Sequence, residues 1–182
     1  PYAVDPTVLP DGTIIRMNPE LAGFWYAPDE VFENILDEEH EWWVQDAHCV
    51  IDAFKNILQH DSYNFLRGRL DYSRMGIFGH SFGGSLGLQV CRERVDIRAC
   101  VDLDGIVFGP ESKRMEMVAV PCMFIMADTE VTDQELLNHN IARSKYNKLV
   151  VPRHPRLLFP RLANDSFYAT IKNSDHNDFG DI

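Results

Sequence analysis

The spacing of apolar residues between positions 33 and 60 predicts one long amphipathic helix. Apolar side chains recur there at intervals of three and four residues, which places them on a single helix face. These residues are Trp43, Ala47, Val50, Ile51, Phe54, Ile57 and Leu58. Residues 1–30 contain five prolines, so we expect irregular chain there, with one brief strand at residues 12–17.

Further along the chain, short apolar runs alternate with helical patterns. A turn-rich link over residues 61–73 leads into the first run, and each run is bounded by polar residues, as is typical of strands buried in a parallel sheet. The predicted strands are 75–78, 98–103, 118–126 and 167–171, and the predicted helices are 82–94 and 133–146. This alternation indicates the α/β class, a mostly parallel sheet with helices on both faces. The length of 182 residues favours one domain over residues 1–182.

Composition narrows the possible partners. Hydrophobic residues make up 45% of the chain and charged residues 25%, as in ordinary globular proteins. The formal charge of -11 argues against nucleic acid and anionic membrane surfaces, since both attract clustered Lys and Arg. No apolar run approaches the ~20 residues of a membrane-spanning helix. No signal peptide is visible, but the chain opens on Pro1 without a methionine, so we expect the natural N-terminus to be missing.

The four cysteines, Cys49, Cys91, Cys100 and Cys122, form no CxxC pair and have no metal-ligand spacing. Each falls in an apolar stretch, where a free thiol behaves as a small hydrophobic side chain. We therefore expect core thiols rather than disulfides, and neither a metal nor a cofactor. Neither this pattern nor the composition assigns a compartment or an oligomeric state.

The segment Gly79-His80-Ser81-Phe82-Gly83 fits the G-x-S-x-G pattern and lies between a predicted strand and a predicted helix. That context is typical of a nucleophile elbow, a strained turn that projects a serine hydroxyl above the sheet of an α/β-hydrolase. The two flanking glycines would let neighbouring backbones approach closely. Ser81 is therefore the candidate nucleophile. The Phe82 amide, at the start of the following helix, is the candidate oxyanion donor.

A serine hydroxyl becomes a good nucleophile only when a base accepts its proton, and histidine is the usual base. His80 is adjacent to Ser81 in the turn and cannot fold back onto its hydroxyl. His176 follows the last predicted strand and is the last of seven histidines. The chain order of an α/β-hydrolase triad is serine, acid, histidine, which makes His176 the candidate base.

The acid of such a triad lies at the carboxyl end of a strand, where the loops of a parallel sheet converge. Asp104 ends one predicted strand and Asp128 ends the next, whereas Asp102 would lie deeper in its strand. The residue pattern alone leaves Asp104 and Asp128 as alternatives.

The segments Gly79-His80-Ser81-Phe82-Gly83-Gly84 and Val101-Asp102-Leu103-Asp104-Gly105 resemble the platelet-activating-factor acetylhydrolase family of the plasma type and its bacterial relatives. Residues 43–54, 121–125 and 174–179 are also similar to that family, so the resemblance covers roughly residues 30–182. It implies an α/β-hydrolase fold without a cofactor. The implied activity is hydrolysis of a small-molecule ester or lipid, such as a short-chain acyl ester or the acetyl ester of a phospholipid.

The resemblance also implies which acid is used. In the acetylhydrolase family the acid follows the strand after the elbow helix, which here is Asp104. Cutinase-like polyester hydrolases with a G-H-S-M-G-G elbow place it one strand later, which here is Asp128. This fold normally takes a second oxyanion amide from a loop after an earlier strand. Nothing before Ser81 matches that loop, so we expect the first strands to be absent, at a typical cost of ~10²–10³ in rate for a lost donor.

Two alternatives to the acetylhydrolase interpretation stay open. One is a cutinase-type or general esterase that uses Asp128 as its acid. The other is a non-catalytic α/β-hydrolase domain that binds a ligand or partner, which an intact serine, aspartate and histidine order disfavours. Dienelactone-type hydrolases are also similar, but they carry cysteine where Ser81 stands.

Overall fold

The structure is a computed structural model that describes residues 7–8, 11–15, 29–59, 69–109, 114, 116–128, 131–138, 141–162 and 165–180. Near its start, β1 (Thr7–Val8) and β2 (Ile14–Ile15) pair as a small antiparallel ribbon. The brief strand predicted at residues 12–17 is therefore found as β2, and its final two positions lie outside the described residues.

In the part of the chain that the structure describes, the main sheet has four strands, which neighbour one another in chain order. They are β3 (Met75–His80), β4 (Ile97–Leu103), β5 (Cys122–Ala127) and β6 (Phe167–Ile171), and every neighbouring pair is parallel. The predicted parallel sheet and the α/β class are confirmed. Strand β5 begins four residues later than predicted because Pro121 precedes it and has no N–H to donate to a ladder.

Among the described residues, four α-helices accompany the sheet: α1 (Asp29–Gln59), α2 (Phe82–Glu93), α3 (Asp133–Asn138) and α4 (Arg143–Leu149). The prediction of a single helix over residues 133–146 is wrong, because α3 ends at Asn138 and α4 begins at Arg143. Asn138 is the last residue of α3, and an asparagine side chain competes with the helix for backbone hydrogen bonds. The proline-rich connection that follows forms three short 3₁₀ turns, Val151–Arg153, Pro155–Leu157 and Phe159–Arg161.

The stripe through which helix α1 packs on the core matches the predicted one only in part. Val44 is completely buried, and Ala47 and Ile51 pack against the same core. Trp43, Val50 and Phe54 were predicted to share the buried face, but they are exposed. The side chains of Ile57 and Leu58 fall outside the described part of the chain. The buried stripe continues to His40, a polar residue that the apolar pattern overlooked.

One face of the main sheet carries the core. The register aligns Ile77, Cys100 and Cys122 across three strands, and Asp102 with Phe124 in the next row toward the carboxyl ends. Helix α2 lies on this face and approaches Ile77 closely through Gly87. The opposite face carries the row Phe78, Val101, Met123 and Phe167, in which Phe78 is 76% exposed and Phe167 is 64% exposed.

All four cysteines are free thiols. Cys91, Cys100 and Cys122 are buried as expected, and the Sγ atoms of Cys100 and Cys122 lie 3.0 Å apart. The contact with the Cys100 thiol, together with burial, raises the pKa of Cys122. The expectation of a core thiol is wrong for Cys49, which is exposed because it points away from the stripe that α1 buries. Within the described ranges, no helix has the length and apolar character to cross a membrane.

Candidate active site

Ser81 lies in a one-residue turn between the end of β3 and the start of α2. Its backbone has φ 57° and ψ -120°, a conformation that side-chain-bearing residues rarely adopt. The Ser81 N–H donates to the carbonyl oxygen of Leu103 at 2.9 Å, which ties the turn to β4. This strained turn between a strand and a helix is the local structure that the G-x-S-x-G segment predicts.

Two glycines make the elbow possible: Gly79, as expected, and Gly84, where Gly83 was expected. A Cβ atom on Gly79 would lie 2.3 Å from the carbonyl carbon and oxygen of Gly83, so only glycine fits there. A Cβ on Gly84 would lie 2.0 Å from Oδ1 of Asp102. A Cβ on Gly83 itself would meet nothing within 4 Å. Close approach thus requires Gly79 and Gly84, and the expectation that Gly83 serves this purpose is wrong.

His176 joins Ser81 to Asp104. Its Nε2 lies 2.9 Å from Ser81 Oγ, and its Nδ1 lies 2.7 Å from Oδ2 of Asp104. Because the ionised carboxylate accepts hydrogen bonds only, Nδ1 carries the hydrogen and donates to Asp104. Nε2 is then the unprotonated nitrogen that can accept the Ser81 hydroxyl proton. Ser81 and Asp104 directly follow β3 and β4, and His176 lies in the loop after β6.

Asp104 is held so that one oxygen is reserved for His176. Its Oδ1 accepts the Ala127 N–H at 2.7 Å, and its own N–H donates to the Ile125 carbonyl oxygen at 2.9 Å. The residue adopts φ 52° as the chain turns out of β4. Burial raises the pKa of Asp104, but the hydrogen bonds from His176 and Ala127 outweigh burial and hold the pKa below its ordinary value of 3.8. The carboxylate is therefore ionised at neutral pH.

Asp128, the alternative acid, lies at the end of the neighbouring strand but not against the imidazole. It is exposed, and its Oδ2 accepts the Asn173 N–H at 3.5 Å. The structure thus brings Ser81, His176 and Asp104 together and leaves Asp128 at the base of the loop that carries His176.

Phe82 is the first residue of α2, where a backbone N–H has no acceptor within the helix. Its ring packs against His40, Trp43 and Phe108, with centroids 4.9–5.6 Å apart. This packing fixes the residue whose amide adjoins Ser81. A positive helix end and a free N–H suit an oxygen that gains negative charge.

The structure contains a second serine–histidine pair, which is sealed in the core. Ser85 Oγ lies 3.1 Å from His40 Nε2 and also accepts the Phe108 N–H at 3.1 Å. Burial lowers the pKa of His40, since a charged imidazole would lose its hydration there. Both side chains are buried, so this pair stabilises the packing of α1 on α2.

The hydrogen bonds of His48 and His154 are to residues other than Ser81. His48 pairs with Glu93, His154 caps a 3₁₀ turn, and His60 and His139 lie outside the described residues.

The sequence placed Asp102 deeper in its strand than Asp104 but did not indicate that its carboxyl group is buried beneath the elbow. Its side chain is 1% exposed beneath the elbow, where Oδ1 accepts the Gly105 N–H at 2.8 Å and Oδ2 has no partner in the described structure. Burial, together with the nearby Asp104 charge, raises the pKa of Asp102 to about 7. A charged residue in the middle of the apolar segment Cys100-Val101-Asp102-Leu103 was the available signal. A second signal was Gly84, whose lack of a side chain makes room for the carboxyl.

The profile of a protein family described as platelet-activating factor acetylhydrolase, isoform II, matches residues 47–176. The chain belongs to this family. The matched residues include Ser81, Asp104 and His176, so the whole hydrogen-bonded chain falls within the part on which membership rests. The resemblance expected from the elbow and its neighbouring segments is confirmed.

Curated relatives of this acetylhydrolase-family chain include two cutinases. Cutinase 2 of Thermobifida cellulosilytica and cutinase cut1 of Thermobifida fusca are each 32% identical over 99 residues, or 54% of this chain. Those residues span 36% and 29% of the two cutinases, so the chain matches only about a third of their length.

Among solved structures, a ferulic acid esterase from Streptomyces cinnamoneus superposes with a TM-score of 0.59. The superposition covers 96% of this chain and 41% of the esterase, at 18% sequence identity. At that identity the likeness concerns the fold. Together with the parallel sheet and the elbow, it establishes the α/β-hydrolase fold.

Proposed function

We propose that this chain carries the catalytic half of a serine carboxylic-ester hydrolase in which Ser81, His176 and Asp104 form the triad. The observation that supports it best is the unbroken hydrogen-bonded chain from Ser81 Oγ through both imidazole nitrogens to Asp104 Oδ2. Each member has the type, order and geometry that this chemistry needs.

In the proposed reaction, Ser81 Oγ attacks the ester carbonyl carbon while its proton passes to His176 Nε2. The tetrahedral intermediate places negative charge on the former carbonyl oxygen, and the Phe82 N–H donates a hydrogen bond to it. His176 then gives the proton to the leaving alcohol as the carbon–oxygen bond breaks. A water molecule, deprotonated by the same imidazole, hydrolyses the resulting acyl-enzyme and regenerates Ser81.

The electrostatics of Asp104 support this sequence of steps. A carboxylate that is ionised at neutral pH stabilises the imidazolium that forms when His176 accepts the serine proton. Its second oxygen is occupied by the Ala127 N–H, so the carboxylate cannot rotate away from His176. Asp104 thus orients the base and compensates its transient charge.

The proposed substrates are short-chain acyl esters, with the acetyl ester of a phospholipid as the family-based candidate. Asp104 stands where the acetylhydrolase family places its acid, and this placement favours the family's substrate class. The second candidate is a polyester or general ester of the cutinase type, which the 32% identity to two cutinases favours. A non-catalytic binding domain is the third, and it has no need for a base poised 2.9 Å from a strained serine.

Hydrolysis of a matched substrate set would test this proposal. We expect the chain to release acid from p-nitrophenyl acetate and butyrate, and Ser81→Ala and His176→Ala each to lower kcat by several orders of magnitude. The double variant should be little worse than either single variant, because triad members act as a unit. Additive losses would contradict a shared triad. A short-chain acetyl phospholipid and a solid aliphatic polyester, compared at equal ester concentration, would separate the two substrate classes.

A further inference from the structure

His80 connects the elbow strand to the loop that carries His176. Its Nε2 lies 2.9 Å from the backbone carbonyl oxygen of His176. A carbonyl oxygen can only accept, so Nε2 carries a hydrogen and donates it. The two imidazole rings are also in contact, with centroids 4.6 Å apart and planes tilted by 41°, and Phe179 lies 6.3 Å from the His80 ring.

The His176 loop also has bonds within itself, and at its base the Asn173 N–H donates to Asp128 Oδ2 at 3.5 Å. His176 begins the 3₁₀ turn His176–Phe179, and Asp175 caps that turn through a reciprocal bond with Asp178. Ser174 Oγ donates to the Ile171 carbonyl oxygen within the same segment. These local bonds shape the loop, but they do not fix its distance from β3, the strand that ends at Ser81.

Two hydrogen bonds hold His176 itself to the neighbouring strands: its carbonyl oxygen accepts from His80 Nε2, and its Nδ1 donates to Asp104 Oδ2. The His176 side chain is 41% exposed, and Asp104 holds it by accepting the Nδ1 hydrogen bond. His80 holds the main chain of the same residue from the strand next to the nucleophile. If the backbone bond is lost, the ring can pivot on Asp104 and Nε2 can move away from Ser81 Oγ.

We propose that His80 is a positioning residue for the base: its Nε2–H, bonded to the His176 carbonyl, sets the distance from His176 Nε2 to Ser81 Oγ. This inference rests on the proposed function and assigns a role to the variable position of the G-x-S-x-G segment. The effect is confined to turnover, since His80 acts through His176. A misplacement of about 1 Å at such a site can lower turnover about 100-fold, so even a partial shift is measurable.

Three substitutions separate the hydrogen bond from the ring contact. His80→Gln keeps an N–H donor without the ring, His80→Phe keeps a ring without the donor, and His80→Ala removes both. His48→Gln is the matched control, because His48 lies on α1 and pairs with Glu93 at the end of α2, away from the elbow. Thermal unfolding of each variant would establish that it folds.

We expect His80→Ala and His80→Phe to lower kcat on a p-nitrophenyl ester about 10- to 100-fold with little change in KM. His80→Gln should recover most of this loss, and His48→Gln should resemble the unmodified chain. Proton NMR gives a readout without turnover: the downfield resonance of the hydrogen between His176 Nδ1 and Asp104 should weaken or shift in His80→Ala and not in His80→Gln.

The inference is overturned if folded His80→Ala keeps full kcat, if the glutamine and phenylalanine variants lose kcat equally, or if the downfield resonance is the same in all variants. Failure of the proposed function gives a different pattern. The unmodified chain would then hydrolyse no ester, while the NMR comparison would still report whether His80 positions His176.

Discussion

His176 and Asp104 stand 72 positions apart in the chain, yet His176 Nδ1 lies 2.7 Å from Asp104 Oδ2. The competing carboxylate, Asp128, instead meets the Asn173 N–H at 3.5 Å. Both aspartates follow strands of the same sheet, but in the proposed enzyme their replacement should have different effects because only Asp104 is bonded to His176.

Asp104→Asn should lower kcat on a p-nitrophenyl ester by about 10⁴, because the amide stabilises the wrong imidazole tautomer. Asp128→Asn is the matched control and should change kcat little, since Asp128 does not contact His176. Steady-state kinetics of the two variants would check this. A larger loss from Asp128→Asn would place the acid one strand later and favour the cutinase-type interpretation.

The elbow glycines should differ in their tolerance of a methyl group. Gly79→Ala should lower the free energy of unfolding by at least about 2 kcal/mol, since its Cβ would overlap the Gly83 backbone. Gly83→Ala should be neutral or stabilise by roughly 0.5–1 kcal/mol, because its Cβ meets nothing and alanine favours the helix. Urea denaturation of both variants gives the comparison. Equal destabilisation would mean that the turn is less tightly packed than described.

Asp102 should make stability depend on pH in the direction opposite to most carboxylates. Its pKa is about 7 in the folded chain and near 3.8 when unfolded. The folded state therefore holds the proton more tightly, and stability is lost as pH rises from about 4 through 7. Above pH 7 the free energy of unfolding should be lower than at acidic pH by about 4 kcal/mol, which is the whole pKa difference expressed as an energy.

Asp102→Asn removes this titration while keeping an oxygen that can accept the Gly105 N–H. We expect its free energy of unfolding, relative to the unmodified chain, to increase between pH 5 and about pH 8 in urea denaturation series. Asp52→Asn provides a contrast of opposite sign. A hydrogen bond from Arg94 lowers the pKa of Asp52, so removing that carboxylate should lower stability above about pH 4. A relative stability of Asp102→Asn that is flat with pH would show that Asp102 does not hold its proton.

The turn at Ser81 and the histidine that contacts it could be predicted from the sequence, because the first signal is local and the second depends only on chain order. A strand, a glycine-flanked serine and a helix follow one another within about 20 residues, and His176 is the last histidine of the chain. The aspartate that contacts His176 could not be chosen in this way. Asp104 and Asp128 both follow apolar strands, and what separates them is the φ 52° turn at Asp104 together with its contact to His176.

The packing of α1 shows a second limit. Apolar residues at positions 43, 50 and 54 have helical spacing, yet the buried stripe runs through His40, Val44, Ala47 and Ile51. His40 belongs to it because Ser85 satisfies its ring nitrogen, a contact between residues 45 positions apart. The burial of Asp102 could not be predicted for the same reason, since the room for its carboxyl group comes from Gly84 and Gly105, which lie outside its strand. Hydrophobic pattern alone does not identify buried polar groups whose partners are distant in sequence.

The central claim is that Ser81 is a nucleophile activated by His176, and a fluorophosphonate probe tests it directly. We expect one probe adduct per folded chain, located on Ser81 by peptide mass spectrometry and absent from Ser81→Ala. Ser85→Ala should still be labelled, because Ser85 is sealed in the core with His40. A folded chain that is not labelled, or an adduct that persists in Ser81→Ala, would contradict the account.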